Sequence, residues 1–255
     1  MNRMVQRINL PGLAFMASLV VLWEIFTRTV GARLDTLPSV SKIFVALVQL
    51  GRDGALLSQL THTLTVAVIG WLIACAIGLA VGLVIGLWRP VWTYSMASID
   101  VLRSIPSISL ISIALLLFGF SSKMEMVIVV YVSQWPVLLA TASAVGATPR
   151  SYLDSARSLR LSRRATVMKV RLPAAVPGII VGVRLALTLA IALAVVAEMV
   201  GNPAGLGFGL VYAQQAIQPA QAFAYLLVIG LLGWVLNAAL NVALERFLKV
   251  HTVTP

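Results

Sequence analysis

Few side chains in this 255-residue sequence can do acid–base or metal chemistry. There are two histidines, His62 and His251, far apart, and one cysteine, Cys75, inside an apolar run. Cys75 has no partner for an internal disulfide and reads as a small buried apolar residue. With no Cys/His cluster, a metal site is not expected. No GxxxxGK[ST] phosphate loop occurs, so the chain is not expected to hydrolyse ATP by that route. Glu198 stands apart, as a carboxylate near the end of an apolar stretch. An ionisable group at membrane depth costs roughly 2.5–3.5 kcal/mol on insertion scales and is a functional candidate by default. Its alternatives are a solvated place at the interface, or a cap on the backbone N–H groups of the GNPAG turn that follows. A proton-coupled route would want partners, and no second buried carboxylate or histidine is expected. The neutral polar groups Ser104, Ser107, Ser109, Ser112, Gln134 and Asn202 can line a pathway, or equally hydrogen-bond between helices.

The second chemistry is docking. Between Arg150 and Arg171 the chain carries seven cationic side chains, in the stretch Tyr152–Pro173 and its flank. Thr148 is a good N-cap and Pro149 suits the first helical position. The helix that follows places Tyr152, Leu153, Ala156 and Leu159 on one apolar face. Such a face suits a groove on a partner, with Asp154 and the arginines setting register at the rim. The alternative is a surface helix lying on anionic headgroups. Ser162 can cap a second short helix running to about Arg171.

These groups must be positioned by membrane helices. The chain is 60% apolar and 11% charged, with a mean hydropathy of +0.99. Soluble proteins run near ~45–50% apolar and ~25% charged. The net charge of +11 does not point to nucleic acid, because most cations flank apolar runs, as expected of groups that orient helices and face lipid headgroups. Six spans of about the ~20 residues needed to cross the hydrocarbon are expected, near 10–29, 60–88, 99–120, 124–146, 177–200 and 222–247. The first is read as a retained membrane helix rather than a cleaved signal. A short helix outside the bilayer is expected after Ser39, an N-cap candidate. Pro106 should bend the third span and Pro136 the fourth. Residues 201–221 read as a loop with a re-entrant or short helical piece.

Small residues recur every fourth position in the second span, at Gly70, Ala74, Gly78, Gly82 and Gly86. The fifth span repeats this at Gly178, Gly182, Ala186, Ala190, Ala194 and Glu198. Such rows let helix backbones approach closely in lipid. An even number of spans puts both termini on one side. With the N-terminus in the cytoplasm, fourteen of the nineteen Lys and Arg residues lie on or near that side. Arg28, Arg33, Lys42, Arg52 and Lys123 lie outside, so the charge bias favours that orientation.

The polar loop resembles the EAA motif of ABC importer permeases, whose pattern is EAA, three residues, Gly, nine residues, Ile, one residue, Leu-Pro. Asp154, Ser155 and Ala156 stand at EAA, Arg160 at the glycine, Val170 at the isoleucine, and Leu172 and Pro173 at Leu-Pro. The spacing is kept, with Asp, Ser and Arg as departures. Arg160 is the serious one, because glycine suits a left-handed turn that other residues adopt at steric cost. LRSIPSISLISIALLLFGFSSK, AEMVGNPAGLGFGL and LPSV are similar to stretches of the nitrate, sulfonate, taurine and bicarbonate branch of that family.

The resemblance implies an all-α integral membrane protein of the type I importer fold: a single domain over residues 1–255, with a cytoplasmic two-helix coupling loop at 148–173. It implies a multi-pass protein of the bacterial inner membrane that pairs with a second copy. ATP-binding subunits, holding ATP and Mg, would dock at the loop, and a separate extracytoplasmic binding protein would deliver a small oxyanion or sulfonate. This chain itself would bind no cofactor and catalyse no reaction. A carboxylate lining the route would repel such an anion, which favours a structural role for Glu198. A vitamin precursor is the alternative cargo. An ion-driven secondary transporter and a non-transporting membrane scaffold are the alternative functions, the former expecting internal repeats and buried ionisable pairs.

Overall fold

The computed structural model describes residues 10–29 and 36–252. Arg3, Arg7 and Arg33, used above to orient the chain, lie outside them. The described residues are helical with no strand. In order they form α1 (Leu10–Thr29), α2 (Val40–Arg52), α3 (Ala55–Leu87), α4 (Arg89–Ser104), α5 (Ser107–Phe118) and α6 (Ser122–Gly146). Then come α7 (Arg150–Ser158), α8 (Arg163–Thr166), α9 (Leu172–Gly201), α10 (Leu206–Gln215) and α11 (Pro219–Thr252). A single wide turn of π-helix, Val167–Arg171, joins α8 to α9. Four stretches are long and apolar enough to cross a membrane: Ala55–Leu87, Ser122–Gly146, Arg163–Gly201 and Pro219–Arg246. The α4–α5 pair qualifies when taken together. α1 adds a 20-residue apolar helix whose large side chains, Phe15 to Phe26, are mostly exposed on the isolated chain.

The core is three helices held by their small residues. The row on α3 meets α6: a β-carbon on Gly78 would lie 2.7 Å from Cβ of Val137, on Gly82 2.8 Å from Cβ of Thr141, and on Gly86 3.0 Å from Cβ of Val145. Both residue numbers rise together, so α3 and α6 run parallel. On α9 the order reverses. A β-carbon on Gly178 would sit 2.7 Å from Cβ of Ala144, and on Gly182 2.6 Å from Cβ of Ala140, so α9 is antiparallel to α6. Lipid offers no hydrophobic drive between helices, and close backbone approach supplies dispersion contact instead. The α9 row drifts around its helix by ~40° per four residues, and this has a use. Gly178 and Gly182 face α6, whereas Ala190 and Ala194 pack with Val66, Ala67 and Val129, reaching α3. The indole N–H of Trp71 donates to the Val183 carbonyl at 3.0 Å, pinning α3 to α9.

Three local expectations are corrected. The stretch near 99–120 is not one bent helix: α4 ends at Ser104, α5 begins at Ser107, and they meet at 79°. Pro106 removes a donor and restricts Ile105 to an extended conformation, and the break falls on those two residues. The Leu102 carbonyl is satisfied there by Ile105 N–H at 3.3 Å and by the Tyr131 hydroxyl at 2.5 Å. Thr148 does not cap α7. Its hydroxyl donates to the Val145 carbonyl at 2.8 Å and closes the end of α6. Ser39 precedes α2 without a side-chain cap and bonds the Ser41 hydroxyl instead. α6 runs through Pro136 without a break.

Candidate functional site

Two polar sites stand at opposite ends of the bundle, because α6 leads into the α7–α8 loop and α9 leads out of it to Glu198.

At the loop end, α7 closes with a left-handed turn. Leu161 N–H bonds the Ala156 carbonyl at 3.0 Å and Arg160 N–H bonds the Arg157 carbonyl at 2.9 Å. These two bonds make a Schellman motif, with Arg160 at the left-handed position and φ of +50°. Arg160 therefore takes the conformation that glycine would take, at steric cost. Ser162 Oγ accepts the Ala165 N–H at 3.2 Å and starts α8. Tyr152 is 55% exposed and Leu159 73% exposed. Leu153 is half-buried and lines a groove with Leu87, Trp88 and Met168. Ala156 is 2% exposed within its own chain, which corrects its assignment to a surface offered to a partner. Asp154 pairs with Arg157 at 3.0 Å, both exposed; such pairs contribute little stability. Ser155 is exposed and donates to the Ser151 carbonyl within α7, while Leu172 and Pro173 open α9.

At the other end, Glu198 is not alone. It is 1% exposed, and Oε2 accepts the Gly207 N–H at 2.9 Å, so it caps the first turn of α10 rather than the GNPAG turn. Glu125, in the first turn of α6, is fully buried. His62 Nε2 on α3 lies 2.8 Å from Glu125 Oε2. The Asn202 amide donates to Glu125 Oε1 and lies 3.3 Å from His62 Nε2. Ligand atoms of His62, Glu125 and Glu198 all fall within 4.8 Å of one another. Gly205 N–H donates to Gln59 Oε1, and Leu206 N–H to Thr63 Oγ1 at 2.9 Å. α3 and α6 thereby hold the 202–207 segment through side chains. The expectation that Glu198 has no buried carboxylate or histidine beside it is overturned. Glu125 reads in the sequence as one more polar residue at a helix start, and no spacing rule links residues 62, 125 and 198.

The remaining pathway candidates are not brought into that cluster. Ser104, Ser107 and Ser109 surround the α4–α5 break, and Ser104 bonds its own helix at the Val101 carbonyl. Gln134 is half-buried near the middle of α6 and donates to the Tyr131 carbonyl at 3.4 Å. Tyr131 reaches Leu102, so the break and the middle of α6 are neighbours.

The geometry agrees with the comparisons to known proteins. A family described as binding-protein-dependent transport system inner membrane component matches residues 77–249. The bicarbonate transport system permease protein CmpB of Synechococcus elongatus is 30% identical over 172 residues, covering 64% of this chain and 62% of that protein. The nitrate import permease protein NrtB of Leptolyngbya laminosa is 31% identical over 126 residues, 49% of this chain and 45% of that protein. The chain thus spans less than two thirds of the length of these relatives. A chain of the inward-facing MetNI methionine ABC transporter superposes with a TM-score of 0.57 at 19% identity, covering 72% of this chain and 95% of that one, a likeness of fold. With the family match covering more than half of the sequence, this chain belongs to the binding-protein-dependent transport system inner membrane components, the permease subunits of ABC importers.

Proposed function

We propose that two copies of this chain form the path of an ATP-driven importer for a small oxyanion or sulfonate. ATP-binding subunits, with ATP and Mg, dock at the α7–α8 loop, and an extracytoplasmic binding protein delivers the solute at the opposite end. The loop lies on the cytoplasmic side of the bacterial inner membrane, with both termini. The observation that carries the docking reading is the α7 Schellman turn. It spans the motif positions and presents Tyr152 and Leu159 outward from a rigid base at Ala156. A short helix anchored at both ends can move as a rigid body when ATP closes its partners, and pass that motion to α6 and α9.

The α4–α5 break supports an anionic cargo. The first N–H groups of a helix lack intrahelical partners and carry partial positive charge. Here the start of α5 lies beside the middle of α6, with exposed Ser109 in its first turn and exposed Ser104 just before it. Broken helices of this kind suit anionic groups within membrane proteins. Bicarbonate and nitrate are named for the two relatives above, and alkanesulfonates such as taurine share their compact, hydrogen-bond-accepting anionic head.

One observation favours a gradient-driven carrier: the pair of His62 with the fully buried Glu125. It lies at the end of the bundle, in the first turn of α6, rather than at the mid-membrane position where such carriers bind their ions. The deciding experiment reconstitutes the chain in vesicles with and without an ATP-binding subunit and a binding protein. Uptake requires ATP and both partners; uptake by the chain alone would overturn the proposal.

A further inference from the structure

The cluster at His62, Glu125 and Glu198 brings two buried carboxyl groups beside one imidazole, with their ligand atoms within 4.8 Å of one another. Among the described residues, His62 is the one ion-pair partner of Glu125, and Glu198 has none. Glu198 Oε2 takes the Gly207 N–H, while Oε1 is buried without a hydrogen bond of its own, the Thr63 hydroxyl nearby being engaged by the Gln59 carbonyl and the Leu206 N–H. A protonated His62 would compensate one carboxylate and leave the other. Buried carboxyl groups are neutralised by a proton, paired with a cation or bound to metal.

We propose that His62, Glu125 and Glu198 bind one divalent transition-metal cation, with Asn202 as a fourth side chain. The donors are one imidazole nitrogen and two carboxylate oxygens, a set that suits Zn²⁺, Co²⁺ or Mn²⁺. The ion's two positive charges balance both carboxylates and give Glu198 Oε1 a partner. A half turn of the Asn202 amide replaces its donor by its carbonyl oxygen as a ligand. Bonds of ~2.0–2.1 Å to nitrogen and oxygen in a tetrahedral site place ligands about 3.3 Å apart. The Nε2–Oε2 separation of 2.8 Å therefore opens by about half an ångström when the shared proton is replaced by the ion. His62 keeps 20% of its side chain exposed and supplies the way in. The ligands come from α3, α6 and α9, so the ion clamps these helices, and through Asn202 the loop to α10, at the end where a binding protein would dock.

The test uses the full chain, purified in detergent and stripped with a chelator. Zn²⁺, Co²⁺ and Mn²⁺ are each added, and bound metal is counted after gel filtration. Co²⁺ is also followed by its visible d–d absorption, and thermal unfolding is recorded. About one ion per chain, a tetrahedral-type Co²⁺ spectrum and a raised unfolding temperature are expected. His62→Gln, at a partly exposed side chain, should weaken binding at least tenfold, and His251→Ala should leave it unchanged. Absence of a stoichiometric ion in the wild type, undiminished binding in folded His62→Gln, or loss of binding in His251→Ala would each overturn the proposal. Should His62→Gln fail to fold, the wild-type and His251→Ala stoichiometries decide it.

Discussion

The backbone of Gly205 lies against the carboxylate of Glu198, with no room for a side chain between them. Gly205 has φ of +96°, a conformation that side chains rarely adopt. Two residues on, a β-carbon at Gly207 would fall on the Val195 carbonyl and 3.0 Å from Cβ of Glu198. The GLG segment is glycine-rich because the backbone itself is the wall of the acidic cluster.

Gly205→Ala therefore combines a strained φ, ~1–3 kcal/mol, with overpacking of a rigid site, ~1–3 kcal/mol. The expected outcome is a marked fall in unfolding temperature of the purified protein, or failure to accumulate in the membrane. An unfolding temperature equal to that of the wild type would show that the 202–207 segment can move away from Glu198.

Glu198 itself is a cap, which separates two substitutions. Glu198→Gln keeps a carbonyl oxygen for the Gly207 N–H, so in metal-free protein it should fold with nearly wild-type stability. Glu198→Ala leaves that buried N–H unsatisfied and should cost about 1–3 kcal/mol. Chemical denaturation of both variants in the presence of chelator measures the difference. Equal losses would remove the capping role.

Two glycines, one on α3 and one on α11, make opposite predictions. A β-carbon on Gly82 of α3 would lie 2.6 Å from the Leu138 carbonyl, a backbone atom that cannot give way. Gly230 of α11 has nothing within 4 Å. Gly82→Leu should force α3 from α6 and destabilise by roughly 3 kcal/mol or more, beyond typical overpacking. Gly230→Leu should be within about 1 kcal/mol of the wild type. Thermal melts of the pair in one detergent compare them directly, unless Gly230 lies on the surface that meets a second copy, in which case assembly, read by gel filtration, fails while the melt is normal.

The rows at Gly70–Gly86 and Gly178–Glu198 were legible in the sequence because helix packing in lipid writes itself as a four-residue period. Their partner was not legible. α6 has no such row and offers Val129, Val137, Ala140, Thr141 and Val145 as knobs, which look like any apolar helix. The α4–α5 break was half legible. Pro106 announces a bend, but not its size of 79°, nor that Tyr131 satisfies the Leu102 carbonyl beside it, a contact across 29 residues. The polar cluster was hidden for the same reason. His62, Glu125 and Asn202 meet only once α3, α6 and α9 are placed side by side.

Arg160 in the left-handed conformation should cost about 1–2 kcal/mol relative to an unstrained residue. Replacing it by glycine relieves this but adds freedom to the unfolded chain, which offsets ~0.5–1 kcal/mol. Arg160→Gly should therefore stabilise the protein by up to about 1 kcal/mol and keep the α7 turn. Arg160→Val, with a β-branched side chain at φ near +50°, should destabilise it. The unfolding temperatures of the two variants should bracket the wild type; the reverse order would mean that the side chain of Arg160 holds the turn.

Ala156 is a poor probe of docking because a bulky group there disrupts the loop from within. Tyr152 and Leu159 are the informative positions, being exposed and flanking that buried residue on α7. An aromatic anchor seated in a partner's groove commonly contributes 2 kcal/mol or more, roughly 30-fold in affinity. Tyr152→Ala and Leu159→Arg should leave insertion and the unfolding temperature of the isolated chain unchanged, since neither side chain is packed within it. Both should reduce co-purification of the ATP-binding subunit, and the double variant should abolish ATP-dependent uptake. Asp154→Asn removes only an exposed pair with Arg157 and should change affinity less than threefold. If Tyr152→Ala and Leu159→Arg co-purify normally while Asp154→Asn does not, the loop docks through charge, and the apolar tip of α7 has another role.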